Sequence, residues 1–448
     1  MRTIRIGNGQ GFWGDSIDAP VNLLRQGPID YITLDYLAEV TLSIMQRQKM
    51  KDPSKGYATD FVAFIDRVLP ELVSKNVKVI ANAGGVNPEA CRQALLAVAK
   101  KHGISGLKIG IVTGDDILDD LNAYRQKGQV FAHMETGESL FAEERAILAA
   151  NVYMPTAGIA EALRQGAQIV VTGRCTDPGL TLAPLMYEFG WHTADQLALG
   201  TVAGHILECG AQATGGNFTR WWEVPDMVNI GYPIAEVSED GTVIITKHET
   251  SGGLVTVATV SEQLLYEMGD PKAYITPDCV ADFSSIQLSQ AGENCVRVSG
   301  VRGMQHTPFL KVSISISDGY KAAGQLTISG PQAYEKAQKC AELVWGRLKQ
   351  SGFTYEETLT EYLGQGVCHA GMVQSPDAPE IVLRLGVKDH DYKKVDRFGK
   401  ELAPLVTSGP PGVTGFAGGR PKPAEIVAYW PALMAREWVN QTVSVQEV

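Results

Sequence analysis

The sequence lacks the segments that would carry a protein into or across a membrane. No apolar run approaches the roughly 20 residues that span a bilayer. The first residues, Met1–Ile6, enter a predicted strand instead of forming the basic and apolar regions of a signal peptide. The seven cysteines are scattered singly, without a CxxC pair or the Cys/His spacing of a zinc site. We therefore expect a cytoplasmic protein with reduced thiols and no metal site.

Positive charge is also scarce. The 39 lysines and arginines against 50 aspartates and glutamates give a formal net charge of −11, which repels polyanions, and no basic block offsets it. A phosphate-binding Gly-Lys-Ser/Thr sequence is missing as well, which argues against a P-loop nucleotide hydrolase. We expect neither a nucleic-acid partner nor a membrane partner.

Length and apolar content indicate a large core in more than one domain. The 448 residues exceed what one hydrophobic core usually supports, and 44% of them are hydrophobic. Residues 1–200 alternate short apolar runs with helical patterns at 57–75, 88–102, 115–126, 142–149, 155–166 and 179–189. This alternation predicts an α/β domain with a doubly wound, mostly parallel sheet. Residues 201–448 predict a second, α+β domain that completes a ligand cleft. Its strands are expected in 230–330 and its helices at 332–350 and after a long loop at 407–423, with a further run over 354–364. The size and apolar content favour a homo-oligomer.

Five apolar segments of the first half end in polar residues or glycine. They are Thr3–Ile6 before Gly9 and Gly11, Tyr31–Leu34 before Asp35 and Glu39, Val77–Ala81 before Asn82, Gly84, Gly85 and Asn87, Leu107–Val112 before Asp115, and Gln168–Val171 before Arg174 and Asp177. In open α/β sheets, ligands bind outside the carboxyl ends of the strands, where the loops converge. The five segment ends therefore predict one polar cleft.

Arg174 is the main candidate for binding an anion in this cleft. Its guanidinium is always charged and can hold a carboxylate or phosphate through two parallel hydrogen bonds. Asp177 could orient Arg174, cap the following helix, or act as a base.

The loop Gly9–Gly14 matches the GxGxxG pattern of dinucleotide-binding, Rossmann-like folds. Asp35 lies about 20 residues further on, where such folds place a ribose-binding acid. Against this interpretation, Asp15 would compete with a pyrophosphate for the loop amides, and Pro20 interrupts the following helix. The alternative is a glycine loop that lets the backbone approach a ligand or another helix closely.

Two other strand ends have structural as well as functional interpretations. Asp35 and Glu39 could transfer a proton, or they could be the capping pair of a helix that begins at Tyr36. Asn82, Gly84, Gly85 and Asn87 could orient a ligand, or they could form a tight turn into a helix that starts at Pro88.

The segment 205–215 is the densest cluster of reactive side chains. On a helix, His205, Glu208 and Cys209 share one face, so Glu208 could exchange a proton with His205 and Cys209 could be a nucleophile. A core histidine and an inert buried thiol are the common alternatives. Three residues of the following loop are further candidates for substrate binding: Gln212, Thr214 and Gly215. Lys247 and His248 could form an electrostatic clamp or the surface of a hairpin.

Together these stretches resemble the acyclic terpene utilisation (AtuA-type) family, from about residue 4 to about residue 435. The resemblance is carried by Gly9–Asp15, Leu34–Thr41, Asn82–Gly85 with Asn87-Pro88, Gly173–Asp177, Gly204–Gln212 with Thr214–Gly216, Gly231–Ile234, Lys247-His248 with Gly252-Gly253, and Gln263–Glu267 with Pro277-Asp278. It implies a place in the bacterial breakdown of compounds such as citronellol and geraniol, and association with carboxylic acids or their coenzyme A thioesters.

The combined hypothesis is a lyase or hydratase that acts on a branched acyl-CoA or related carboxylate. Arg174 would hold the anionic group with help from Lys247 and His248, and the amides of Gly9, Gly11, Gly84 and Gly85 would line the pocket. His205 with Glu208, or Asp35 with Glu39, would exchange a proton next to a carbonyl group. Coenzyme A would enter as part of the substrate, and no redox cofactor is required. The alternatives are an NAD(P)-dependent oxidoreductase and a non-catalytic partner of an acyl-CoA carboxylase.

Overall fold

A computed structural model describes residues 2–369, 372, 378–415 and 418–448. The chain forms two compact units, Met1–Ser315 with Tyr429–Val448, and Ile316–Ala428. The boundary expected near residue 200 does not coincide with a division between these units. Within the described ranges, none of the helices has both the length and the apolar character needed to cross a membrane.

The α-helices are α1 Ala19–Gln26, α2 Thr41–Lys51, α3 Thr59–Lys75, α4 Pro88–Lys101, α5 Leu121–Gln126, α6 Ala157–Arg164, α7 Gly179–Phe189, α8 Ala194–Glu208, α9 Val257–Leu265, α10 Ala333–Gln350, α11 Tyr392–Phe398 and α12 Leu405–Ser408. The strands are β1 Thr3–Gln10, β2 Tyr31–Leu34, β3 Lys78–Ala81, β4 Lys108–Thr113, β5 Ile147–Val152, β6 Ile169–Thr172, β7 Ile234–Ser238, β8 Val243–Thr246, β9 Tyr274–Ile275, β10 Val280–Asp282, β11 Gln287–Gly292, β12 Cys295–Ser299, β13 Arg302–Met304, β14 Phe309–Ser329, β15 Glu357–Leu363, β16 Glu380–Asp389, β17 Val413–Thr414, β18 Ala424–Ala435 and β19 Thr442–Glu447.

Two predicted helices are strands in the structure. The segment expected to be helical at 142–149 contains the start of β5, and the segment expected to form the last helix is β18. Each of these strands pairs with β14, which lies far away in the chain. Such pairing cannot be recognised from local periodicity, which explains why both predictions were wrong.

The large sheet of the first unit is mixed. Its strand order is β11-β12-β8-β7-β1-β2-β3-β6-β4-β19. The five central strands β1, β2, β3, β6 and β4 run parallel, and they correspond to the five segments that the sequence predicts. β7 pairs antiparallel with β1, and β8, β12 and β11 extend the sheet on that side. Strands that were expected in a second domain therefore belong to the first sheet, which is why residue 200 is not a boundary.

Helices cover both faces of the parallel centre. On one face, Ile32 and Val79 share a continuous core with Phe61 of α3 and Leu95 of α4. On the opposite face, a Cβ added at Gly110 of β4 would lie 3.1 Å from Ala162 of α6. Because successive side chains of a strand point to opposite faces, double coverage requires apolar residues at nearly every position. This requirement accounts for the uninterrupted β-branched runs of these strands.

The second unit is built on antiparallel strands. Residues Tyr320–Ser329 of β14 pair with β16, which also pairs with β15, and β17 pairs with the end of β14. The run at 354–364 is thus β15. Helix α10 contributes Ala337, Cys340 and Val344 to the core of this unit, at the spacing of one helix face.

We expect the mixed sheet to unfold as one cooperative unit. Leu69→Ala in α3 and Ile245→Ala in β8 each remove a fully buried side chain, one beside the parallel strands and one in the antiparallel flank. Each should lower the free energy of unfolding by about 2–5 kcal/mol, and both effects should appear in the same urea transition. Leu265→Ala, at a side chain that is 72% exposed, is the control and should change stability by about 0.5 kcal/mol or less. Two transitions, each sensitive to one variant only, would contradict a single unit.

Candidate functional site

A cavity of about 580 Å³ lies beyond the carboxyl ends of the parallel strands. Nine residues that the sequence singled out line it: Gly11, Asp15, Asp35, Glu39, Arg174, Asp177, Glu208, Cys209 and Gln212. All of them belong to the first compact unit.

The five strand ends converge, but they contribute in two ways. Gly11 after β1, Asp35 after β2 and Arg174 after β6 line the cavity directly. Asn82, after β3, donates from Nδ2 to Asp35 Oδ1 at 2.6 Å. Asp115, after β4, accepts at Oδ2 from the Arg174 backbone N–H at 2.7 Å. Three ends therefore supply the walls, and two ends hold the wall residues in place.

Arg174 is buried and already paired. Its side chain is 2% exposed, and its Nη1 is bonded to Asp177 Oδ1, with Nη2 3.4 Å from the second carboxylate oxygen. The guanidinium carbon lies 4.1 Å from the centre of the Tyr153 ring, within the range of a cation–π contact. Asp177 thus orients Arg174 as expected. An external carboxylate would have to displace Asp177 before Arg174 could clamp it with both nitrogens.

Glu39 is held in the ionised form. The Tyr153 hydroxyl donates to Glu39 Oε1 at 2.8 Å. Burial pushes the pKa of Glu39 upward, but its own backbone N–H, the Tyr153 hydroxyl and the charge of Arg174 outweigh burial and leave the pKa lowered. No helix begins at Tyr36, since α2 starts at Thr41, so Glu39 and Asp35 are not a helix-capping pair.

The surroundings of Asp35 favour its protonated form. The residue is 6% exposed, and burial followed by the charge of Asp177 raises its pKa well above the usual range. Arg174 and the amide of Asn82 oppose this shift without cancelling it. Asp35 and Glu39, at the end of the same strand, therefore have opposite protonation tendencies, which is the pattern of an acid and a base.

Glu208 is a second carboxyl group with a raised pKa. It ends α8, and its Oε1 lies 2.9 Å from His205 Nδ1, one turn earlier, within hydrogen-bond distance. Burial raises the pKa of Glu208 to about 7, although the His205 charge opposes the shift. Among the described residues, Glu208 Oε2 has no hydrogen-bond partner. Glu208 lines the cavity, but this oxygen is itself buried in the wall.

His205 lies behind Glu208 and does not line the cavity. Its side chain is 2% exposed and packs edge-on against the rings of Tyr274 and Phe283. Burial lowers the pKa of His205, but the charge and hydrogen bond of Glu208 outweigh burial and raise it. His205 thus orients Glu208 and shares its proton.

The lining of the cavity combines many acidic residues with apolar ones. Six acidic residues line it: Asp15, Asp35, Glu39, Asp177, Glu208 and Glu267. Arg174 is the only basic residue among the described lining residues. Phe12, Leu37 and Tyr266 supply apolar surface. An anionic group entering this cavity meets more negative than positive charge.

The glycine loop packs against protein backbone. A Cβ at Gly11 would lie 2.8 Å from the carbonyl carbon of Cys209, just beyond α8. The Gly11 amide donates to Asp15 Oδ2 at 2.9 Å, and the Tyr232 hydroxyl donates to Asp15 Oδ1 at 2.6 Å. Asp15 therefore uses an amide that a pyrophosphate would need. The parallel strand order β1-β2-β3-β6-β4 also differs from the 3-2-1-4-5-6 order of Rossmann folds.

Lys247 and His248 are not at this cavity, so neither assists Arg174. They line a separate cavity of the same unit. Lys247 Nζ donates to the Ser251 carbonyl oxygen at 2.7 Å, and His248 Nε2 donates to the Leu23 carbonyl oxygen at 2.9 Å. The sequence places both residues after a strand, but that strand is β8, in the antiparallel flank of the sheet.

Six further predicted residues do not line the cavity but help to set the backbone conformation around it: Gly9, Gly84, Gly85, Asn87, Thr214 and Gly215. Asn87 caps α4, as in the structural interpretation of this turn. A Cβ at Gly84 would lie 2.6 Å from the Thr172 carbonyl oxygen. Gly215 has a φ of 103°, which favours glycine.

Sequence reasoning missed four residues of the site: Tyr153, Tyr232, Tyr266 and Glu267. The last three stand in stretches that carry the family resemblance, so a signal existed. Tyr153 follows β5, which was expected to be helical, and its role depends on Glu39 from a distant strand. Cys209 has a pKa raised to about 12 by burial, which agrees with an inert thiol.

The model of the acyclic terpene utilisation family protein AtuA matches residues 4–445. This chain belongs to the acyclic terpene utilisation family. Family membership implies a role in acyclic terpene utilisation.

Other comparisons add little to the AtuA assignment. No curated protein matches the chain. Two solved structures of S. aureus homoserine dehydrogenase, at pH 6.0 and pH 6.5, are 8% identical to it, with TM-scores of 0.14 and 0.12. They cover 93% and 86% of this chain and 83% and 82% of their own. TM-scores this low carry no structural argument.

Gly11→Ala tests the packing of the glycine loop. The new methyl group would meet the backbone of Cys209 and Glu208, which cannot move aside as a flexible side chain can. We expect a loss of about 1–3 kcal/mol in the free energy of unfolding, measured in urea. Gly269→Ala is the matched control, because nothing lies within 4 Å of its Cβ position. Equal stability of the two variants would show that the loop does not need a glycine for close packing.

The opposite pKa shifts of Glu208 and Glu39 predict opposite effects on stability. The folded-state pKa of Glu208 is about 7, against an ordinary value of 4.5. Ionisation of Glu208 therefore destabilises the folded state progressively as the pH rises from about 4.5 to 7, and by its full amount above pH 7. Glu208→Gln should therefore stabilise the protein at pH 8 by on the order of 1–3 kcal/mol, and by less at pH 5. Glu39 has a lowered pKa, so Glu39→Gln should destabilise the protein at pH 8. Urea unfolding at both pH values measures this, and shifts of the same sign would refute it.

Proposed function

We propose that the AtuA-family cavity adds water to, or removes water from, a carbon–carbon double bond of a branched acyl group, as a hydratase or lyase of acyclic terpene breakdown. One observation carries this proposal. Two carboxyl groups that favour the protonated form, Asp35 and Glu208, line the same cavity as Glu39, which favours the ionised form. Hydration of a double bond needs one proton donor and one proton acceptor in that arrangement.

Glu39 and Glu208 have different roles in the proposed reaction. Glu39 accepts a proton from water while the water oxygen bonds to the carbon β to the carbonyl group. Glu208 donates its carboxyl proton to the α carbon, and His205 behind it holds Oε1. The sum is one added water molecule, and dehydration is the reverse. No electrons are transferred, so no redox cofactor is required.

The charge of the cavity favours a thioester over a free acid. A free carboxylate would face six acidic side chains and a single arginine that is already paired with Asp177. Taking such an anion out of water without a partner is costly. The carbonyl group of an acyl-CoA is neutral, and its phosphates are separated from the acyl group by the long pantetheine arm. A branched acyl-CoA is therefore the preferred substrate class.

Arg174 then has a different role from the anion clamp expected from the sequence. It holds Asp177 in position, and its positive charge contributes to the lowered pKa of Glu39. Arg174 thereby helps to keep the base ionised beside two protonated carboxyl groups.

Glu208→Gln tests the proposal with 3-methylcrotonyl-CoA and the corresponding free acid. Loss of the absorbance of the conjugated thioester should show turnover of the acyl-CoA but not of the acid. We expect kcat to fall by about 10²–10⁴-fold in Glu208→Gln, with little change in substrate affinity. In the unsubstituted protein, kcat for hydration should fall as the pH rises through about 7, because Glu208 then loses its proton. Glu239→Gln, at an exposed side chain, is the control.

Two results would replace the proposal with another. Enhanced nicotinamide fluorescence that Asp35→Ala abolishes, together with no hydration, would indicate an NAD(P)-dependent oxidoreductase. Co-purification with a biotin-containing partner and an inert cavity would indicate a non-catalytic partner of an acyl-CoA carboxylase.

A further inference from the structure

The first unit contains a second cavity, of about 620 Å³, that the proposed hydration does not use. It lies at the carboxyl end of β8 and the start of β12, and its wall includes Lys247, His248 and Cys295. Its volume falls in the range of small-molecule sites, roughly 300–1,000 Å³.

Lys247 is an unusual wall residue. It is 7% exposed, and its Nζ donates to two backbone carbonyl oxygens, those of Ser251 at 2.7 Å and His248 at 3.4 Å. Among the described residues, no carboxylate is hydrogen-bonded to its Nζ. Burial lowers the pKa of Lys247, and the charge of Glu293 opposes this shift without cancelling it.

A neutral amine fits these contacts. It has two N–H bonds, which the two carbonyl oxygens accept, and a lone pair that remains free. Desolvated lysines of this kind are the nucleophiles that form imines with carbonyl compounds.

His248 follows Lys247 in the cavity wall. Because its Nε2 faces the Leu23 carbonyl oxygen at 2.9 Å, Nε2 carries the hydrogen and Nδ1 keeps its lone pair. Burial lowers the pKa of His248, so the ring is neutral near pH 7. The ring packs closely against Gly27, also in the cavity wall, since a Cβ at Gly27 would lie 2.3 Å from Nδ1.

The remaining charges of the wall do not neutralise Lys247. Arg5 is paired with Glu236 at 2.5 Å. Glu249 and Glu293 are the other acidic residues of the wall, and neither is bonded to Lys247.

We propose that Lys247 is the nucleophile of a second site, which takes an aldehyde or ketone and holds it as an imine. The Nζ lone pair attacks the carbonyl carbon, and a C–N bond forms. The nitrogen passes its proton through solvent water to the oxygen, which leaves as water. One aldehyde and one amine thus give one imine and one water, with no oxidant or metal.

Competitive trapping tests this assignment on the full-length protein. Hexanal and sodium cyanoborohydride convert imines to stable alkylamines, and mass spectrometry of peptides then compares all lysines in one sample. Exposure alone predicts that Lys247 reacts after Lys349, which is exposed. We expect Lys247 to react several-fold faster than Lys349, because its lowered pKa leaves a larger fraction of free amine.

Three further measurements separate a built site from an accessible amine. In urea, the rates at Lys247 and Lys349 should become similar. Lys247→Arg, which keeps hydrogen-bond donors but cannot form an imine, should leave the rate at Lys349 unchanged and abolish the fast phase of labelling. His248→Gln should leave the preference for Lys247 unchanged, because the His248 ring contacts Leu23 and Gly27. The proposal is overturned if Lys247 reacts more slowly than Lys349 in the folded protein, or if its preference persists in urea.

Discussion

One buried guanidinium among several carboxyl groups determines the chemistry of the first cavity. Arg174 is fixed by Asp115 at its backbone, by Asp177 at its side chain and by the ring of Tyr153. One positive charge cannot neutralise six acidic side chains, so the carboxyl groups divide into those that keep a proton and those that do not. The position of each group relative to Arg174, Tyr153 and solvent decides that division. The proposed acid–base chemistry rests on this electrostatic arrangement and not on any single reactive residue.

The mixed sheet creates the arrangement. Its parallel centre delivers strand ends to one place, as open α/β sheets do. Its antiparallel flank begins with β7, which pairs with β1. The chain segments that precede and follow the strands of this flank therefore also reach the cavity. Tyr232 precedes β7 and holds Asp15, and Tyr266 follows α9. The cavity is therefore completed by residues far along the chain, within one compact unit.

Local pattern and long-range pairing explain what the sequence could and could not predict. The five parallel strands, the pair Arg174–Asp177 and the pair His205–Glu208 were predictable, because each depends on residues close in the chain. The unit boundary at Ile316, strands β5 and β18, and the contact of Tyr153 with Glu39 were not, because each depends on segments that meet only in the folded state. Lys247 shows the same limit. Its position after a strand was evident, but the place of that strand in the sheet was not.

The central claim is that neighbouring carboxyl groups of one cavity hold their protons differently. Titration of ¹³C-labelled glutamate side chains by NMR, with signals assigned through Glu208→Gln and Glu39→Gln, measures this most directly. The account predicts a midpoint of about 7 for Glu208 and a midpoint for Glu39 below its ordinary value of 4.5. Glutamate signals that both titrate near 4.5 would contradict it.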